Sequence, residues 1–187
     1  QGYVGAENAV VIPDNITKID DDVFLNTTIT SVEIPDSVTT IGDNAFAGCE
    51  YLTEVTVPDS VTKIGDNVFY GCTSLESATW ESKEGIGDGT FAECAGLTDL
   101  SISKELPSIG KEAFKNCESL ESIVIPEATK TIASDAFDGC VNMQSIDVKR
   151  RILTLCHTTM HSTRRTGLRY TAARRGREPS RCMTVPR

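Results

Sequence analysis

Phenylalanine recurs along this chain at an almost constant interval of 22 or 23 residues, and each copy has the same neighbours. The six copies are Phe24, Phe46, Phe69, Phe91, Phe114 and Phe137. A fixed period of about 20 to 50 residues is typical of a solenoid, in which each repeat packs only against the repeats beside it. The sequence therefore predicts a repeat array, whose function would depend on a surface more than on a pocket.

Each repeat contains one clear strand pattern followed by a turn. Val55-Thr56-Val57 alternates apolar and polar residues with the period of two expected of a strand, and Pro58 ends it because proline lacks an amide hydrogen. Gly42-Asp43-Asn44 resembles the start of a helix, and Gly48 lies where a helical turn would stop. We therefore expect a repeat solenoid of short parallel strands, with one short helical turn per repeat that carries the phenylalanine inward.

The charge of the chain changes abruptly near residue 149. Residues 1–149 hold eight lysines and 26 carboxylates, a formal charge of −18, whereas residues 150–187 hold ten arginines and one carboxylate, a charge of +9. Such asymmetry indicates two separate parts. We assign residues 1–149 to the solenoid, as a fragment of a longer array, and residues 150–187 to a basic tail outside the repeat.

The proline, Ile-Gly and Ala-Phe elements of the repeat do not appear after residue 149. We interpret residues 150–187 as the product of a reading-frame shift or an unspliced intron. A native disordered basic tail is the alternative, and nucleic-acid binding through its clustered arginines is a third reading that we do not favour. Without a cap, Ile132, Phe137 and Val148 would leave apolar edges exposed, and we expect fraying or association there.

Five of the seven cysteines lie three residues after a phenylalanine and so form a column along the predicted solenoid. Repeats about 4.8 Å apart would keep the Cβ atoms of parallel side chains farther apart than a disulfide allows. We therefore expect buried free thiols, and no zinc site, because the thiols do not converge. The column contains Cys49, Cys72, Cys94, Cys117 and Cys140.

The sequence offers no catalytic arrangement within the solenoid. Both histidines, His157 and His161, lie in the basic tail beside Cys156, with Cys182 further on. A metal site made of these four residues is not expected, because nothing around them fixes a geometry. Since residues 1–149 contain no histidine, they lack a Ser-His-Asp or Cys-His arrangement, and they also lack a phosphate-binding glycine motif. We expect neither an enzyme nor a cofactor.

A column of aspartates raises the question of calcium binding. Asp43, Asp66 and Asp88 recur with the repeat, and stacked carboxylates repel one another unless amides or a cation neutralise them. Helix capping and a solvated acidic face explain these residues better than a metal does. We therefore expect no calcium site.

Trp80 is the main irregularity in the repeat. It occupies a position where other repeats have isoleucine or valine, and Ala78 stands two residues earlier where they have a larger residue. A large side chain beside a small one preserves the volume of a core. We therefore interpret Trp80 as buried; a tryptophan turned outward as a binding anchor is the alternative.

The pattern that runs from Cys49 through Phe69, Cys-x-x-Leu-x-x-Val-x-Val-Pro-x-x-Val-x-x-Ile-Gly-x-x-x-Phe, resembles the BspA-like class of leucine-rich repeats. The resemblance covers residues 9–148, about six repeats. It implies a right-handed β/α superhelix with a parallel sheet on the concave side. It also implies a secreted or surface-attached protein that adheres to extracellular or host proteins, and it supplies no catalytic residues to transfer.

If the sheet is concave, its exposed residues are the candidate binding surface. They are Glu33, Glu54, Thr56, Ser77, Thr79, Asp99, Ser101, Ser122 and Val124. These small, hydroxyl-rich and mildly acidic positions suit a protein partner with a basic or polar surface, and nucleic acid is not expected as a partner. The alternatives are a structural spacer, or an intracellular scaffold with free thiols, whose strand face binds nothing.

The sequence leaves the compartment of the protein open. The chain begins at Gln1, so we expect that residues before it, such as a signal peptide or further repeats, are missing. No apolar run approaches the roughly 18 residues that a membrane span needs. A secreted or cell-surface location is therefore an expectation that comes from the resemblance.

Overall fold

The computed structural model describes residues 8–148, which form a parallel-strand β-solenoid of about six turns. The predictions for the basic tail, with its histidines, Cys156 and Cys182, lie outside these residues. The twelve strands within 8–148 are β1 (Ala9–Val11), β2 (Lys18–Ile19), β3 (Ser31–Glu33), β4 (Thr40–Ile41), β5 (Glu54–Val57), β6 (Lys63–Ile64), β7 (Ser77–Trp80), β8 (Asp99–Ile102), β9 (Ser108–Ile109), β10 (Ser122–Ile125), β11 (Thr131–Ile132) and β12 (Ser145–Val148).

All strand pairs are parallel, and they form five short sheets in which the longer strands and the two-residue strands pair separately. The longer strands pair as β1–β3, β5–β7–β8 and β10–β12, and the two-residue strands pair as β2–β4–β6 and β9–β11. Every pairing is in register with the sequence period, so that Val55 lies beside Ala78 and Ile41 beside Ile64. A slip of one residue would turn each apolar side chain outward, which is why the alternating pattern specifies this register.

A third set of hydrogen bonds joins the segments that carry the phenylalanines, which we call the Phe turns (residues 42–49 in the repeat of Phe46). Within residues 8–148 these segments are turns and no helix is present, so the predicted helical turns are wrong. The amide of Phe46 donates to the carbonyl of Val68 in the next repeat at 2.9 Å. Asn44 and Gly48 also adopt positive φ values of 51° and 68°. Both features are incompatible with an α-helix, in which each amide bonds four residues back.

The phenylalanine rings stack along the axis of the solenoid. Neighbouring ring centroids lie 5.1 to 5.5 Å apart with nearly parallel planes. Trp80 meets Phe91 edge-on at 5.8 Å. The rings of Phe46, Phe69, Phe91 and Phe114 are fully buried among the isoleucines and leucines of the same repeats. The predicted inward direction of the phenylalanines is therefore confirmed, and one continuous core supports the longer strands from behind.

Candidate binding surface

The nine predicted site residues lie on the outer side of the longer strands, which we call the strand face. Where the strands pair, these residues align in rows that run across the strands. Glu54, Ser77 and Asp99 form one row, and Thr56, Thr79 and Ser101 form the next. Glu33 lies at the end of β3, and Ser122 and Val124 lie on β10. The inward residues between them, such as Val55 and Ile123, are buried. The structure thus brings the predicted residues onto one surface.

Most of the strand face is open to solvent. Ser77 and Thr79 are half-buried and the other seven predicted residues are exposed, including Val124 at 44%. Hydroxyl and carboxylate groups repeat along the solenoid at the strand spacing of roughly 4.8 Å. Such rows offer hydrogen-bond donors and acceptors to a partner, and negative charge at Glu33, Glu54 and Asp99.

An open depression lies at the end of β7 and β8, and sequence reasoning missed it. In these two repeats Glu81 and Ser103 stand where other repeats have proline, so their amides donate to the carbonyls of Val57 and Trp80 at 2.9 and 2.7 Å. Lys83, Lys104, Thr79 and Ser101 are among the residues that line the depression. The missing prolines were the available signal, because only a residue with an amide hydrogen can extend the ladder there.

Trp80 is buried behind the strand face and offers no exposed anchor for a partner. Its side chain is 1% exposed, and its indole Nε1–H donates to the carbonyl of Glu84 at 3.2 Å. Ala78, two residues earlier, is also buried. The prediction of a buried tryptophan beside a small residue is confirmed, and the alternative of a binding anchor is wrong.

The cysteine column lies inside the solenoid and holds free thiols, as predicted. Each thiol donates to the carbonyl oxygen of the phenylalanine in the preceding repeat, at 3.0 to 3.3 Å. Burial raises the pKa of the Cys94 thiol well above its ordinary value, and repulsion from the neighbouring thiols of Cys72 and Cys117 adds to this shift. Because a thiolate is the reactive form of cysteine, these residues are inert parts of the core.

The aspartate column has a different role from the predicted helix cap. The Oδ1 of Asp43 accepts the amide of Asp66 in the next repeat at 2.8 Å, and the Oδ1 of Asp66 accepts the amide of Asp88 at 3.0 Å. Asp21 and Asp88 continue the same pattern at the two ends, and we call these four residues the aspartate ladder. The capping prediction is wrong because the bonded amides belong to the next repeat. These bonds offset part of the repulsion between the stacked carboxylates.

No helix within residues 8–148 is long and apolar enough to cross a membrane.

Solved structures of bacterial leucine-rich repeat proteins are similar to this fold. One from Bacteroides ovatus has a TM-score of 0.69 at 23% identity, over 87% of this chain and 47% of its own. A leucine-rich cell surface protein from Faecalibacterium prausnitzii has a TM-score of 0.55 at 29% identity, over 78% of this chain and 48% of its own. A third, from Eubacterium ventriosum, has a TM-score of 0.59 at 26% identity, over 72% and 43%. This chain thus spans less than half the length of these three proteins.

A search of the curated proteins gives no match. The profile of the BspA type leucine-rich repeat region, in contrast, matches six copies over residues 6–84 and 84–164. Within residues 8–148 the match includes the strands, the Phe turns and the cysteine column, which together build the core. This chain belongs to the BspA-type leucine-rich repeat family.

Proposed function

We propose that this chain is a non-enzymatic protein-binding module of a secreted or cell-surface protein, and that the strand face holds its partner. The observation that carries this proposal is the register of the exposed polar rows, in which Glu54, Ser77 and Asp99 align across three paired strands. One solved relative is a cell surface protein, and this supports the location.

The chemistry of the strand face favours a partner with a basic or polar surface. Its rows hold carboxylates and hydroxyls but none of the tryptophan, tyrosine or arginine side chains that most often dominate binding energy. The seven longer strands, spaced roughly 4.8 Å apart, extend over about 30 Å, which is enough for one modest interface. Each repeat therefore contributes little affinity, and a longer array would reach useful affinity by engaging several sites at once. Adhesion to extracellular proteins suits such a surface.

Charge reversal on the strand face tests the proposal. The full chain carrying Glu54→Lys and Asp99→Lys is compared with the unaltered chain for binding to immobilised, purified extracellular matrix and plasma proteins. The matched control carries Glu50→Lys and Glu118→Lys, two exposed positions in the loops after the Phe turns, which change the net charge equally. We expect binding to at least one basic protein that falls about tenfold or more in the first variant and stays unchanged in the control.

Two outcomes would contradict the proposal. A structural spacer would bind no protein of the panel, and general electrostatic attraction would weaken equally in both variants. A salt titration separates the remaining cases, because a contact that depends on exposed charges weakens as the ionic strength rises. Loss of folding is excluded if both variants keep the blue-shifted emission of buried Trp80.

A further inference from the structure

The two ends of the longer strands differ in charge. The segments that lead from the Phe turns into these strands contain six exposed carboxylates and no lysine or arginine. These segments are residues 27–31, 49–54, 72–77, 94–99, 117–122 and 140–145. Five of the seven lysines in the described part of the chain lie instead in the segments that follow the longer strands: Lys18, Lys63, Lys83, Lys104 and Lys130. The strand face is therefore acidic along one margin and carries both signs of charge along the other.

The depression at the ends of β7 and β8 lies on the margin of mixed charge, and one of its lysines has no ionic partner. Lys83 forms an exposed ion pair with Glu105, with 3.7 Å between the Nζ and Oε2 atoms. Lys104 is exposed and forms no ion pair within residues 8–148. Asp59 and Glu81 also line the depression, so a ligand with negative charge alone would be repelled. The mixture favours a carboxylate that belongs to a ligand with basic groups as well.

Three hydroxyl groups add uncharged hydrogen-bond donors to the depression. Thr79, Ser101 and Ser103 line it together with Lys104. The hydroxyls of Thr79 and Ser101 form no hydrogen bond among the described residues. The Oγ of Ser103 accepts the amide of Glu105 at 3.3 Å, which leaves its own proton free to be donated. Because an ionised carboxylate only accepts hydrogen bonds, it matches this set of donors.

The length of β8 determines where the basic group of such a ligand would lie. Asp99 begins β8, and Ser103 follows its end but still donates its amide to the carbonyl of Trp80. These two residues are four apart on an extended segment, which corresponds to about 13 Å at about 3.3 Å per residue. An extended partner segment places its own residues i and i+4 the same distance apart. One such segment therefore brings a basic side chain to Asp99 and an acidic one to the depression.

We propose that the depression binds a carboxylate side chain of the protein partner, with Lys104 as its ion-pair partner and the hydroxyls of Ser101 and Ser103 as donors. The inference rests on the proposed function, in which the row of Glu54 and Asp99 holds a basic group of the same partner. It gives that partner two opposite charges about 13 Å apart. The depression then fixes the direction in which the partner lies along the strands, because a reversed segment would place its acidic group beside Asp99 and its basic group beside Lys104.

Two peptides with blocked ends test this inference by nuclear magnetic resonance on the full chain labelled with nitrogen-15. One has the sequence Arg-Thr-Thr-Thr-Glu, and its matched control ends in glutamine instead of glutamate. We expect the glutamate peptide to shift the amide signals of Ser103 and Lys104 and to bind about threefold more tightly than the glutamine peptide. The amides of Glu54 and Asp99 report separately on the proposed function, because both peptides carry the arginine.

Charge reversal at Lys104 separates this contact from general electrostatic attraction. Lys104→Glu makes the chain more negative, so attraction over a distance would strengthen the binding of the positively charged glutamine peptide. We expect the variant to bind the glutamate peptide about threefold more weakly than the unaltered chain does, and the glutamine peptide at least as tightly. The matched change Lys63→Glu lies at an exposed position of β6 outside the depression and alters the net charge equally. It should leave the preference for the glutamate peptide intact.

The same titrations distinguish failure of this inference from failure of the proposed function. Equal affinity for the two peptides, or unshifted signals of Ser103 and Lys104, would show that the depression does not bind a carboxylate. A preference for the glutamate peptide that survives Lys104→Glu would also overturn the inference, because the carboxylate would then lie elsewhere. In either case, shifts at Glu54 and Asp99 would leave the proposed function standing. Shifts at Ser103 and Lys104 without any at Glu54 and Asp99 would contradict the proposed function instead.

Discussion

The Sγ of Cys94 donates a hydrogen bond of 3.1 Å to the carbonyl oxygen of Phe69, one repeat earlier. Both residues are fully buried, and the same bond recurs at every other cysteine of the column. The phenylalanine carbonyl already accepts the amide of the cysteine three residues later, as Phe69 does from Cys72. The thiol therefore uses the second lone pair of an oxygen and ties each Phe turn to the next.

The thiols make the stability of the solenoid depend on pH. Burial raises the pKa of Cys140 from 9.0 to about 11 and also raises that of Cys94 well above its ordinary value. Because unfolded thiols lose their protons first, the stabilisation is complete below pH 9 and declines as the pH rises toward the folded pKa. Each such thiol lowers the free energy of unfolding by up to about 1.4 kcal/mol per pH unit in this window. Urea unfolding at pH 7, 9 and 10 in a reducing buffer measures the decline.

A single substitution provides the control for this pH dependence. Cys94→Val keeps an apolar side chain at the site but removes one titrating group, so its loss of stability between pH 9 and pH 10 should be shallower than that of the unaltered chain. An identical slope would mean that the decline comes from lysines or from general repulsion among charges. The comparison is made as a difference between pH values because the substitution also changes packing.

The sequence predicted the repeat, the strands and the core, but it failed at the Phe turns for a physical reason. Gly42, Asp43 and Gly48 are residues that begin and end helices, and they are also residues that allow tight turns. A helix start and a tight turn differ in the carbonyl to which the amide of Phe46 donates. In this structure that carbonyl belongs to Val68, which lies 22 residues away in the sequence. A local pattern contains no information about that partner.

The two turn glycines Gly48 and Gly71 are expected to differ in their tolerance of alanine. Both have positive φ, 68° and 69°, so alanine costs about 1 to 2 kcal/mol at either site. At Gly48 an added methyl group would also overlap the Oδ1 of Asn26, whereas at Gly71 its nearest contact is 3.9 Å away. Gly48→Ala should therefore lower the free energy of unfolding by about 1 kcal/mol more than Gly71→Ala does, as measured in urea.

The double variant Gly48→Ala/Asn26→Ala isolates this overlap. Removing the Asn26 side chain should bring the cost of Gly48→Ala down to that of Gly71→Ala. If the cost does not fall, the difference between the two glycines comes from backbone strain and not from the side-chain contact.

The aspartate ladder predicts that the hydrogen-bond acceptor at residue 66 matters more for stability than the negative charge of its side chain. Asp66→Ala leaves the amide of Asp88 without its Oδ1 partner and should cost about 1 kcal/mol. Asp66→Asn keeps an oxygen in the same place and removes one charge from an acidic column, so it should be neutral or slightly stabilising at low salt. Thermal unfolding of both variants at two salt concentrations measures this. Equal losses in the two would contradict the ladder.

The outward direction of the candidate binding residues could be predicted from alternation alone, because a period of two fixes which residues of Val55-Thr56-Val57 point outward. The depression beside Lys83 and Lys104 was not predicted, because its shape depends on how far strands β7 and β8 remain paired. That depends in turn on amides at Glu81 and Ser103 that other repeats lack. The direction of a side chain within a repeat can thus be predicted from its nearest neighbours in the sequence, whereas a difference between repeats depends on how the repeats stack.

Trp80 and Ala78 are expected to compensate for each other in the core. Other repeats fill these two inward positions with two medium-sized residues, such as Val55 and Val57. Trp80→Ile should create a cavity and cost about 2 to 4 kcal/mol, and the second change Ala78→Val should recover about 1 kcal/mol of that loss by refilling part of the space. Urea unfolding followed by circular dichroism measures both variants, since the fluorescent residue is gone. If Ala78→Val lowers stability equally with and without Trp80, the two side chains do not share a volume and the compensation is wrong.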